Sequence, residues 1–250
     1  MPSATDREVL LGVAGVLFFL LAWEVLGRTA VLGSTWPPLT TVLTFLLDTS
    51  HQVLFARALG ASLRSLAIGY GTGLAVGLLA AVVAHLLPGL RPAFDRTSGF
   101  VHAVPSVALA PLLILLLDRE GTPAALAGLN TFFVLYVSTT SGLSASSASL
   151  RDLVRVLGGG RWTRLVRVDA PAALPTVASG MRLAVPGALI GVIIGEWFGA
   201  PRGLGVLVIN AMQNFQIPLL WSTVLLGVLV SMLFYVLFGL LHRAAAGRFG

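Results

Sequence analysis

The chain has 250 residues, 56% of them hydrophobic and only 10% charged, whereas soluble domains average about 25% charged residues. Too few polar side chains remain to cover a soluble surface, so composition excludes an ordinary water-soluble globule. The formal charge is +6 with every basic residue an arginine, and there is no cysteine, which removes disulfides, thiolate metal sites and cysteine nucleophiles.

Stretches without Asp, Glu, Lys or Arg cover 9–23, 65–90, 97–117, 121–150, 183–195 and 203–242. A helix that crosses lipid needs about 20 mostly apolar residues, and in lipid the backbone must bond to itself. The chain therefore reads as all-α, a polytopic transmembrane helical bundle of about six spans. In order these are about 9–27, 62–87, 102–117, 123–143, 176–198 and 219–241. The first lacks a basic leader and a small-residue cleavage site, and Trp23-Glu24 stands where cleavage would fall, so it is kept as a span rather than a signal peptide. The second is rich in glycine, and Gly69, Gly73 and Gly77 have the spacing that lets helices approach closely, within a bundle or across a dimer. The third is entered through Pro105.

The connections carry as much information. Residues 34–61 hold Pro37-Pro38 and an amphipathic stretch through Leu54, Phe55 and Leu59, read as a helix lying on the outer surface. Residues 199–218 read as a glycine-containing loop and a short apolar helix from Gly203 to Ile217. The longest polar stretch is 144–175. With the N-terminus inside, ten arginines (Arg7, Arg91, Arg96, Arg151, Arg155, Arg161, Arg164, Arg167, Arg243 and Arg248) fall on the cytoplasmic side and five outside. The positive-inside bias then puts both termini and the 144–175 stretch in the cytoplasm of a multi-pass protein of the inner (plasma) membrane. Arginines at the ends of apolar runs point to a lipid membrane and not to nucleic acid.

Within 144–175 the chain reads as a helix apolar at Leu153, Val154 and Leu157, a break at Gly158-Gly159-Gly160, and a second helix apolar at Trp162, Leu165 and Val166. Pro171 and Pro175 then punctuate the return to the membrane. Two short helices at an angle make a stiff projecting knob. The stretch resembles the coupling-loop signature of binding-protein-dependent ABC transporter permeases. Asp152 takes the acidic place, Leu153 and Val154 the two small places, Gly158 the glycine, Val168 the aliphatic, Ala170 the leucine and Pro171 the proline. Asp for Glu, Leu-Val for Ala-Ala and Ala for Leu are the departures. Ala61–Leu66 with Gly69, Val104-Pro105-Ser106, Gly180–Ala184, Gly195-Glu196-Trp197 and Gly203-Leu204-Gly205 are similar to the branch associated with nitrate, sulfonate, taurine and thiamine-precursor uptake.

The resemblance implies a type I ABC importer permease fold, with an N-terminal transmembrane helix at 1–33 and a permease core at 34–250 that carries the coupling loop at 148–175. It implies cytoplasmic ABC ATPase subunits docked on Asp152, Leu153, Val154, Gly158, Trp162, Val168 and Pro171. A second permease subunit, expected as a homodimer, and an extracytoplasmic substrate-binding protein complete the assembly. The chain holds no phosphate-binding loop and no lysine, so no cofactor is expected on it and ATP belongs to the partner ATPase. No enzyme activity and no catalytic group are expected. Pro105, Ser106 and Glu196 are candidates to line the translocation pathway; Glu196 reads either as such a group, pairing with Arg202 or Arg64, or as an interfacial anchor. Glu24 reads as interfacial and His102 as a packed residue. His51, His85 and His242 have no metal-binding spacing. The alternative reading is an ion-gradient-driven secondary transporter, which would show inverted repeats and buried midplane charge.

Overall fold

The computed structural model describes residues Ala4–Phe249. Among them every regular element is helical: α1 (Ala4–Thr29), α2 (Leu39–Leu47), α3 (Thr49–Leu86), α4 (Arg91–Ala103), α5 (Ser106–Ser144), α6 (Ala148–Val156), α7 (Arg161–Arg164), a π turn (Leu165–Asp169), α8 (Ala170–Trp197), α9 (Leu204–Gln213) and α10 (Ile217–Phe249). The chain divides into two compact units, Met1–Arg57 with Leu207–Leu226, and Ala58–Val206 with Gly227–Gly250.

In the first unit Phe55, Ala211 and Leu219 are buried, with Phe45, Leu46, Leu207, Leu220 and Leu226 packed on them. Trp23, Trp36 and Trp221 form an edge-on cluster with centroids 4.8 to 5.7 Å apart. Two of the indole N–H groups are satisfied by backbone, Trp23 on Pro37 O at 3.1 Å and Trp221 on Thr35 O at 2.9 Å. Glu24 accepts from the Thr40 amide at 3.0 Å and from Arg28 at 2.6 Å, which fixes the start of α2. Asp48 opens α3: the Ser50 amide, at 2.9 Å, and then its hydroxyl hold the Asp48 carboxyl below the usual carboxylate range. The surface helix expected through Leu54–Leu59 is instead the first part of α3. Nothing between Thr49 and Leu86 breaks the helix, and Phe55 points into the core.

The second unit is organised around α5. By length and apolar composition four helices qualify as spans, and the bent pair α4 and α5 brings the number to five. Yet α5 is not one rod. Asp118 has φ +70° and ψ −178°, and its Oδ1 accepts from the amides of Glu120 at 2.8 Å and Gly121 at 2.9 Å, capping a new helical start. The Asn130 amide bonds Ser106 Oγ at 3.4 Å, His102 stacks on Phe133 at 3.8 Å, and the Tyr136 hydroxyl donates to Asp95 at 2.6 Å. On a straight helix residues 106 and 130 would lie about 36 Å apart, so the chain reverses at Asp118. The third expected span is thus one leg of a hairpin and the fourth is the other. The third starts earlier than expected, because α4 belongs to the same leg. Pro105 bends it, with Val104 extended in front of the proline.

Glycines set the packing. A Cβ on Gly69 would strike the carbonyl of Ala124, one on Gly73 that of Gly128, and one on Gly77 that of Phe132 at 2.9 Å. The constant offset means that α3 runs parallel to the second leg of α5. Gly180 faces Ser138, Gly191 faces Ala127 and Gly195 faces Pro123, so α8 runs antiparallel to the same leg. Lipid tails give apolar side chains no reason to leave them. Close backbone approach then supplies the dispersion contact that holds such helices together. The small-residue spacing on α3 therefore works inside this chain, against α5.

Overpacking a tight helix contact typically costs about 1–3 kcal/mol. Gly73→Leu is expected to lower the midpoint of unfolding of the purified protein clearly, because its side chain meets Gly128 and Thr131. Gly71→Leu, whose Cβ meets nothing within 4 Å, is expected to leave it almost unchanged. Equal losses in the two variants would remove the close α3–α5 approach as a source of stability.

Candidate functional site

The knob is built from local chain chemistry. Ser147 caps α6 by accepting from the Leu150 amide at 3.3 Å. At the other end the Gly159 amide reaches back to Val154 O at 2.8 Å and the Gly158 amide to Arg155 O at 3.0 Å, with Gly158 at φ +75°. This nested pair of bonds around a left-handed residue is a Schellman termination. A Cβ at Gly158 would meet nothing within 4 Å, whereas one at Gly159 would sit 2.5 Å from Val154 Cγ1 and 2.9 Å from Val154 O. Position 158 thus needs glycine for its backbone angle and position 159 for space.

Beyond the break the structure departs from the expected pair of separate helices. The second is a single turn, α7, which passes through the π turn directly into α8, and neither Pro171 nor Pro175 interrupts the helix. The reason is local. Proline lacks an N–H and clashes with the carbonyl four residues back, and a π turn placed just before Pro171 widens the register there. The Ala170 amide bonds back to Leu165 O, five residues earlier.

Asp169, at the end of that turn, is fully buried. Its Oδ2 accepts from His85 Nε2 at 2.7 Å and Arg164 Nε at 3.0 Å, and its Oδ1 from Ser146 Oγ at 2.5 Å. A carboxylate only accepts, so Nε2 carries the proton of His85. Arg151 donates to Ser146 O at 2.6 Å, and Arg161 to Leu86 O at 3.1 Å. Side chains from the end of α3, the end of α5 and the turn before α8 therefore meet on one group.

The resemblance residues divide by direction. Val154, Val168 and Pro171 are half-buried, and Asp152 is exposed in a loose pair with Arg155 at 3.4 Å. Leu153 and Trp162 face outward, and with Leu150, Val156 and Leu157 they leave an uncovered apolar face, Val156 at 83% and Trp162 at 65% exposure. Sequence reasoning treated Asp169 as one charge of a polar stretch. The signal it passed over is an acid set among apolar residues just before Pro171.

The pathway candidates do not converge. Pro105 is exposed at the α4–α5 bend, and Ser106 bonds Asn130. Glu196 is 2% exposed and accepts from Ser62 Oγ and the Gly205 amide, each at 2.7 Å, while Ser62 Oγ accepts from the Leu204 amide at 2.8 Å. Among the described residues it forms no ion pair with Arg202 or Arg64. It anchors the turn at Gly203, φ +150°, whose missing Cβ leaves room for the carboxylate. His102 is exposed rather than packed, with one face of its ring stacked flat on Phe133. Among the described residues no group of His, Asp or Glu could hold a metal ion.

A family profile, binding-protein-dependent transport system inner membrane component, matches residues 73–250. The formylaminopyrimidine transport permease protein of Halalkalibacterium halodurans is 28% identical over 221 residues, 85% of this chain and 88% of that one. A Bacillus subtilis protein named as a candidate aliphatic sulfonates transport permease is 29% identical over 214 residues, 84% of this chain and 77% of that one. The crystal structure of a bacterial alginate ABC transporter, in complex with an alginate pentasaccharide-bound periplasmic protein, superimposes with a TM-score of 0.60 at 13% identity, over 96% of this chain and 95% of that one. With 178 of its 250 residues inside the profile, the chain belongs to the family of inner-membrane components of binding-protein-dependent transport systems.

Proposed function

We propose that this chain, as the permease subunit of an ATP-driven ABC importer, docks cytoplasmic ATPase subunits on the outward face of the α6–α7 knob. A pair of copies would form one pathway, and an extracytoplasmic substrate-binding protein would deliver the solute. ATP belongs to the ATPase, since the chain has no phosphate-binding loop. The single observation that carries the reading is an uncovered apolar face on a knob whose base is held by a buried, triply hydrogen-bonded carboxylate. An exposed apolar patch rimmed by charge marks an interaction surface, and a rigid base lets movement of a docked partner reach α3, α5 and α8. The names of the relatives, which mention formylaminopyrimidine and aliphatic sulfonates, support a small polar or anionic solute such as a sulfonate or a thiamine-precursor-like compound.

Orientation follows from arginine placement. In a chain without cysteine, Gly160→Cys is expected to react with a membrane-impermeant maleimide only in inside-out vesicles, and Ser50→Cys only in right-side-out cells. Labelling of Gly160→Cys from outside would place the knob beyond the reach of any cytoplasmic ATPase.

Gly158 gives the docking test. A β-branched residue at φ +75° is strained by roughly 1–2 kcal/mol, about tenfold in an equilibrium. Gly158→Val is expected to insert normally yet retain about one tenth of the co-purifying ATPase. Gly158→Asn, which tolerates the left-handed region, is expected to retain most of it. Full retention and unchanged uptake by Gly158→Val would defeat the docking role.

Removing one partner of a buried charge cluster typically costs about 3–5 kcal/mol. Asp169→Asn is expected to free the knob, measured as faster amide hydrogen exchange over residues 148–164 and as loss of substrate-stimulated ATP hydrolysis. Native exchange together with native stimulation would show that the carboxylate does not stiffen the loop.

A further inference from the structure

Arg182 lies in the interior of α8, between Asp169 and Glu196. On α8 it is about 18 Å from Ala170 and about 22 Å from Trp197 at helical rise, and the α10 residues it meets, Tyr235 and Gly239, lie in the last turns of the apolar stretch Ile217–Leu240. Its guanidinium lies 3.8 Å over the ring of Tyr235 on α10. A Cβ at Gly239, one turn further along α10, would come to 3.4 Å from its Cζ and Nε, an ordinary contact. Its Nε is buried without a hydrogen-bond partner, and among the described residues no carboxylate pairs with it. The two acids that flank it on the same stretch, Asp169 and Glu196, are each taken up by other donors.

We propose that Arg182 is an oxyanion-binding residue for the transported solute, and this rests on reading the chain as an importer permease. Charged groups within a membrane span are expensive and are kept where they meet a partner or line a pathway. Stacking on Tyr235 occupies one face of the guanidinium. Its N–H donors lie in the plane of the group and point away from the ring, the arrangement that grips a carboxylate, sulfonate or phosphate by two parallel hydrogen bonds. A phospholipid headgroup offers the same oxyanion chemistry, and the lipid composition of the discs separates the two sources.

The test uses the purified permease with its ATPase in nanodiscs of zwitterionic lipid. Thermal unfolding is followed against methanesulfonate, with near-isosteric, uncharged dimethyl sulfone as control and ionic strength held by sodium chloride. A saturable rise in Tm with methanesulfonate and none with dimethyl sulfone is expected. Arg182→Gln is expected to lose the rise, and the exposed Arg243→Gln to keep it. Arg182→Lys, which keeps charge but not the paired donors, is expected to need a roughly tenfold higher concentration and carries the test if the glutamine variant fails to fold. No rise in the wild type, or the same rise in Arg182→Gln and Arg182→Lys, overturns the assignment. Stabilisation that depends on Arg182 but appears only with phosphatidylglycerol discs overturns the solute in favour of lipid. A wild type that binds methanesulfonate but never retains an ATPase would sink the importer reading and leave the anion site standing.

Discussion

Asp169 collects hydrogen bonds from His85, Arg164 and Ser146 at the base of the α6–α7 knob, with no exposure of its own. A buried carboxylate is tolerated only where donors replace water around it, and the cost of losing one is larger than the gain from making it. That asymmetry makes the cluster a constraint more than a source of stability. The end of α3, the loop after α5 and the turn before α8 must keep one relative geometry or leave a charge unpaired. The knob inherits its position from this, since α6 is capped by Ser147, the neighbour of Ser146, and α7 contains Arg164.

The same constraint explains the π turn. With Asp169 pinned and Pro171 two residues on, an ordinary helix would drive the proline ring into the carbonyl of Arg167. The extra residue of the π turn absorbs that conflict without breaking the element, so α7 and α8 behave as one rod through the membrane surface. Motion imposed on Trp162 is then delivered to α8 and, through Gly180, Gly191 and Gly195, to the second leg of α5, where backbones touch too closely to slide independently. A softer, Leu-lined contact would allow the slippage that glycine packing forbids.

Much of this was legible in the sequence. Apolar runs located the crossings because lipid leaves few alternatives, and the charged triplet Asp118-Arg119-Glu120 already separated the two legs of α5. Gly158 was legible because a helix stop with a left-handed residue has a strong chemical preference. What stayed hidden depends on distant partners. His85 and Asp169 are 84 residues apart, and nothing local to either announces the other. The π turn is equally silent, since Leu165–Asp169 carries no breaker of its own. The surface helix expected near Phe55 failed for another reason: amphipathic periodicity cannot distinguish a helix lying on lipid from one packed on protein.

Three ionisable groups mark the stretch Asp169–Trp197, and their satisfaction is unequal. Asp169 is bonded at the knob end and Glu196 at the far end, where Ser62 and the Gly205 amide hold it against the turn that starts α9. Both acids meet donors from elements distant in sequence, so α8 is fixed at each end by groups that would be costly to leave unpaired. Arg182, between them, touches an aromatic face and meets no acid. Had evolution needed only a stable rod, an apolar residue at 182 would pack against Tyr235 and Gly239 with no charge to solvate. A helix fastened at both ends and charged in the middle is instead suited to hold a polar group steady while a partner moves its root.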